Sequence, residues 1–280
     1  MLYPMSEMSN NAEFLTLREQ DAGLGLPEIE PRDYLYQLDF DFDVDAQLIA
    51  IRGLLRRNSK ATQEMSDEIR EIEEHTRRLK GIRTDRAVDE WMDRLHDSAY
   101  QDAAHSMSAV GMLAPLIETI FYQFFRGIGK GISSAKLPSG NQERWKAIQS
   151  IQWDCRLIVQ GKSARKDLVR GIFQLCNAVG LTSKLPPDLE LTLSALFAYR
   201  NKMFHNGFEW PIEEREHFLK QITEKKWPSN WFFKAEYGDK PWIFYLKNEF
   251  IEHCLGTIEK VLVAMGTFVR DDLSTIQSAS

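Results

Sequence analysis

The stretch Leu196–Trp210, LFAYRNKMFHNGFEW, decides how this chain is read. On a helix turning about 100° per residue, Leu193, Leu196, Phe197 and Phe204 share one apolar stripe. Arg200 falls inside that stripe, between Phe197 and Phe204. A guanidinium keeps its charge at physiological pH, so burying it without a partner is costly. Asn201 and His205 are four residues apart and stack on one face beside Arg200. Asn206-Gly207 offers a left-handed stop, which puts His205 in the last helical turn. Upstream, Pro186-Pro187 and Asp188 mark the start. The stretch therefore predicts a late amphipathic helix whose end gathers an arginine, an amide and an imidazole. Lys202 lies on the other side, where it is expected to meet solvent or a phosphate.

Two structural accounts compete with a functional one. Arg200 can belong to an internal ion pair, for which Glu118, in the apolar LAPLIETIF segment, is the expected partner. His205 can be a helix-terminal histidine favoured by the macrodipole. A lone histidine would be read that way; Arg-Asn followed by a histidine at a helix end points to chemistry.

Working outward, the surroundings read as helical. ARKDLVRGIFQLCNAVGL and NQERWKAIQSIQWDCRLIVQ are taken as two amphipathic helices before the opening stretch. Val110, Ala114, Ile117, Phe121 and Phe124 repeat at helical spacing and should face the core, with Pro115 kinking that helix or starting a new one. GIGKGISSAKLPSG reads as a loop; Lys130 is followed by Gly131, which breaks the phosphate-loop pattern. Residues 43–97 carry Leu48, Ile51, Leu55, Met65, Ile69 and Ile72 amid dense opposite charges, the pattern of a long charged helical arm. Residues 1–42 look irregular and 271–280 look like a frayed tail. After the opening stretch, WPSNWFFKAEYGDKPWIFYLK is dense in aromatics, with Gly238-Asp239 between two β-prone runs. It predicts a small β-hairpin, within an insertion of about 208–245, that acts as a mini-core over helix ends. The fold class is all-α with that one β insertion.

The chain has 280 residues and a net charge of −6, so it is not a generic binder of nucleic acid. The charge is uneven. Residues 1–97 hold 22 acids and 13 bases, whereas residues 126–205 hold 13 bases and 5 acids. A basic stretch inside an acidic protein suits an anionic ligand. Cys155, Cys176 and Cys254 are far apart and odd in number, which gives no disulfide framework or metal spacing and fits buried thiols in a reducing cytoplasm. EEREH, Glu213–His217, lacks the HExxH order of a zinc site. No run reads as long and apolar enough to span a membrane, and no signal peptide is visible.

RNKMFH, Arg200–His205, resembles the R-x4-6-H signature of HEPN domains, which place a polar residue directly after the arginine near the end of a late helix in an all-α bundle. The resemblance covers residues 98–270. It implies a metal-independent endoribonuclease, without cofactor, in which two protomers bring their motifs together. His205 would act as general acid or base in attack of the ribose 2′-OH on the adjacent phosphate, a task suited to an imidazole pKa of about 6.5. Arg200 would stabilise the transition-state charge, and Asn201 would orient the phosphate or His205. Products would carry 2′,3′-cyclic phosphate and 5′-OH ends. Arg165, Lys166, Arg170 and Lys202 are expected to guide the RNA on charge grounds alone. The family context further implies a toxin–antitoxin or antiviral role, with a regulatory partner. A HEPN-like protein that binds nucleotide or RNA without cutting it, and a helical adaptor using its charged arm, are the other readings.

Overall fold

The computed structural model describes residues 29–38, 40, 42–78, 82–131, 142–161 and 163–273. Its frame is an antiparallel pair of long helices, α1 (Val44–Arg78) and α2 (Ile82–Gly131). At 1.5 Å per residue α2 is about 75 Å long, far more than one core needs. Only Leu48, Ile51 and Leu55 of α1 are buried. Beyond them α1 runs outside the core against the first part of α2, pinned by Arg94–Glu68 at 3.1 Å. Ala99 is the first buried residue on α2. The expected arm at 43–97 is therefore one and a half helices of a projecting hairpin, and its boundary falls inside α2. Two helices with apolar seams cover each other, which a single charged helix cannot do.

From Ala103 onward α2 is the central helix, with Val110, Leu113, Ile117, Ile120, Phe121 and Phe124 buried. It runs through Pro115 without a break. Pro115 lies on the exposed side, where water can serve the carbonyl that the missing N–H leaves unbonded. The helix also continues through Gly127–Gly131, where a loop was expected; residues 132–141 lie outside the described residues. By length and composition α2 is apolar enough to cross a membrane, contrary to the expectation from the sequence, with 56% of its most apolar window buried inside the protein.

Residues 31–38, expected to be irregular, form a 3₁₀ helix (Pro31–Leu38) whose Leu35 and Leu38 enter the core. It straps across α2 and the last helix at two glycines. A Cβ on Gly266 would stand 1.9 Å from the Pro31 carbonyl oxygen, and one on Gly127 would stand 2.6 Å from that of Leu38.

The segment NQERWKAIQSIQWDCRLIVQ is not a helix. It makes two short turns, Gln142–Trp145 and Gln149–Gln152, and then strand β1 (Leu157–Gln160), which pairs antiparallel with β2 (Ser163–Lys166). Gln160 faces Ser163 across a two-residue turn, where Gly161 holds φ at +61°. What fixes this segment is Arg144, fully buried. Its five N–H groups donate to the carbonyls of Gln152, Leu157, Ile151 and Asp154 and to the Gln174 side chain. All the donors a guanidinium has are used.

Helices α3 (Leu168–Val179), α4 (Leu189–Asn206), α5 (Ile212–Glu224) and α6 (Asn248–Phe268) complete the body. Between α5 and α6 lies the expected hairpin, β3 (Phe232–Tyr237) and β4 (Lys240–Leu246), turning at Gly238. Its aromatics, with Trp210 and Phe218, extend the one core over α4 and do not form a separate mini-core: Trp210 stacks on Phe244 at 5.4 Å, and Phe218 meets both Trp210 and Phe232. The chain is thus mainly helical with two small antiparallel sheets, one more than expected. The three cysteines are free and buried, and burial pushes the Cys155 thiol up to about 12.

Candidate active site

Helix α4 buries Thr192, Leu193, Leu196, Tyr199 and Met203. Tyr199 anchors it by donating to the Phe244 carbonyl at 2.9 Å. This seam is rotated from the expected one. Phe204 is not in the core; it is 49% exposed and leans on α2 at Gly111, where a Cβ would stand 3.3 Å from its ring. The missing side chain at Gly111 gives the ring a seat beside α2 in place of one beneath it. Arg200 consequently stands on the shoulder of the helix, half-buried, and is not an intruder in the core.

Arg200 and Asn201 come together. Arg200 Nη1 donates to Asn201 Oδ1 at 3.1 Å, and the guanidinium carbon lies 5.4 Å from the Phe204 ring centroid. The expected ion pair with Glu118 does not form. Glu118 lies seven residues beyond Gly111 on α2, about 10 Å along the axis, and its charge is felt by the Cys155 thiol instead. Among the described residues Arg200 has no ion pair, so four of its five donors are open. His205 is exposed in the last turn, five residues on and so about 140° around the helix from Arg200, with no hydrogen-bond partner among the described residues. The helix stops where expected, but not in the left-handed helical conformation: Gly207 takes φ +73° and ψ −146°, and returns its N–H to the Met203 carbonyl at 3.0 Å.

Lys202 is placed differently. Its ammonium pairs with Glu214 on α5, and that contact holds the Glu214 carboxyl below its usual range. It is thus tied to a neighbouring helix and is not a free cation for a phosphate. Arg165 and Lys166 are exposed on β2, and Arg170 is exposed at the start of α3, 3.8 Å from Asp167. Lys166 pairs with Leu157, next to Arg156, whose guanidinium sits 4.4 Å over the Tyr122 ring. Tyr122 and Gly111 are eleven residues apart on α2, which places them on one helix face about 16 Å apart. The basic hairpin and the seat of Phe204 thus lie along the same side of α2 without forming one cluster.

Two groups near α4 escaped the sequence reading. The first follows the helix stop: Tyr100 on α2 donates to Glu209, and the Tyr100 bond first and a Trp242 bond second hold the Glu209 carboxyl below its usual range. The second lies behind Tyr199. Asp102 is half-buried, and burial pushes its carboxyl up to about 6, with a bond from Tyr245 acting the other way. Neither leaves a local spacing signal, because each joins α2 to residues more than a hundred positions away.

The end of α4 combines an open guanidinium fork with an exposed imidazole. That pair can bind a phosphodiester and move a proton. It is also open to water on one chain, which weakens electrostatic stabilisation of a developing charge. A second surface laid over it would supply what a single α4 lacks. Against family models, curated proteins and solved structures, the chain matches none.

Proposed function

We propose that the chain is an endoribonuclease that cuts RNA by attack of the 2′-OH on the neighbouring phosphate, with two copies bringing their α4 ends together over the substrate. The observation that carries this reading is the state of Arg200: half-buried, bonded to Asn201, and without an ion pair among the described residues. A structural arginine would look like Arg144, with every donor spent. His205, one turn on, takes a proton from the 2′-OH or gives one to the 5′-oxygen that leaves, and its partner in the second copy serves the other end. Arg200 binds the non-bridging oxygens, more tightly as their charge grows. Asn201 holds the guanidinium in place. The resemblance of RNKMFH to the HEPN signature supports the same assignment, as does the mainly helical body.

The test uses an RNA with one 2′-deoxy position at a mapped cut. Cleavage at that position should stop, while neighbouring cuts persist with 2′,3′-cyclic phosphate ends. Cleavage through the deoxy position, or 3′-OH ends, would refute the mechanism.

A further inference from the structure

Glu209 is exposed, four residues past His205, and so at most about 14 Å away along the chain. Its carboxylate accepts from Tyr100, and that bond first, with Trp242 and Arg215 nearby, holds it below its usual range. Around it stands an aromatic ledge outside the main core. His96 stacks on Trp242 at 4.5 Å and 30°, Trp242 meets Tyr100 edge-on at 5.4 Å, and Tyr100 meets Phe208 at 6.4 Å. Tyr100 and Gly111 are eleven residues apart on α2, so the ledge lies on the face that seats Phe204, about 16 Å along the helix from it. Glu209 and His96 are both exposed at the edge of this ledge.

We propose that Glu209 with this ledge is the base-reading subsite of the Arg200–His205 site and takes a guanine next to the cut phosphate. A carboxylate offers about four acceptor positions, and Tyr100 occupies one. Two of those that remain match a pair of adjacent donors. Among the four RNA bases only guanine presents two neighbouring donors on its Watson–Crick edge, N1–H and the N2 amino group. Uracil places its single N–H between two acceptors, and adenine and cytosine each set an acceptor beside the amino group. Tyr100, itself packed on Trp242, fixes the carboxylate in advance, and exposed His96 provides the surface on which an unpaired base stacks.

The inference rests on the proposed function for its substrate but is tested apart from it. Calorimetric titration of His205→Ala protein with the uncleavable deoxydinucleotides d(GpT), d(ApT), d(CpT) and d(TpT) should show d(GpT) about tenfold tighter than the others. Glu209→Gln should remove that preference, and Tyr100→Phe, which keeps the ring and loses the donor, should weaken it by a smaller factor. Circular dichroism confirms that both variants fold. Equal affinity for the four ligands, or a guanine preference untouched by Glu209→Gln, overturns the subsite. Guanine-selective binding by a protein that cuts no RNA would sink the ribonuclease reading and leave the subsite standing. Cleavage with no base preference in parent or Glu209→Gln protein would do the reverse.

Discussion

Arg144 and Arg200 show two uses of the same side chain. Arg144 is a clamp: five donors, five acceptors, no exposed surface. Lysine offers three donors and no planar fork, so Arg144→Lys should lower stability by about 2 to 4 kcal/mol in urea unfolding. Arg200 is open, and Arg200→Ala should change stability by less than about 0.5 kcal/mol while removing activity. The sequence pointed to Arg200 because its apolar neighbours made the charge conspicuous. It gave no hint of Arg144, whose partners are mostly main-chain carbonyls with no residue type to read. Asp102 carries a pH signature. Its carboxyl titrates near 6 in the folded chain, against an ordinary value near 3.8, so its stabilising effect is complete below pH 4 and is lost as pH rises through 6. Asp102→Asn should therefore stabilise the protein at pH 8 by about 1 to 2 kcal/mol, discounted for partial exposure, with little effect at pH 4. A pH-independent difference in melting would contradict that assignment.

Among the elements, α2 shows how far periodicity carries. Val110, Ala114, Ile117, Phe121 and Phe124 do face the core, but the continuity through Pro115 could not be read from them. Proline in a helix interior costs stability wherever packing forces the helix on, so Pro115→Ala should raise stability by about 1 to 3 kcal/mol. Denaturant unfolding checks it; a loss of stability would mean that Pro115 itself packs favourably. The strap at residues 31–38 was illegible because its signal is an absence: Gly127 and Gly266 leave room for backbone. Gly266→Ala should destabilise by about 1 to 3 kcal/mol, since a methyl group there meets the Pro31 carbonyl. The β1–β2 hairpin was missed for another reason. LIVQ continues an apolar rhythm that suits either a helix or a strand, and a lone glycine at 161 is a weak turn signal. The aromatic hairpin was legible because Gly238-Asp239 stands between two β-prone runs with no competing helical period.

At the scale of the whole molecule, a hairpin of densely but almost evenly charged helices projects from a body that exposes Arg165 and Lys166 on β2 and Arg170 on α3. Arg200, Asn201 and His205 stand at the end of α4, the first half-buried and the other two open to solvent and to a second copy. The account assigns the chemistry to that helix end and to nothing else in the chain. The measurement that tests it most directly is cleavage of mixed RNA, with EDTA present, by the parent protein and by His205→Ala at equal concentration. General acid–base catalysis by a side chain contributes typically about 10²–10⁴-fold, so the variant should be slower by at least about a hundredfold, with an unchanged melting temperature. Equal rates for the two proteins, or no cleavage by the parent at any concentration, would contradict the account.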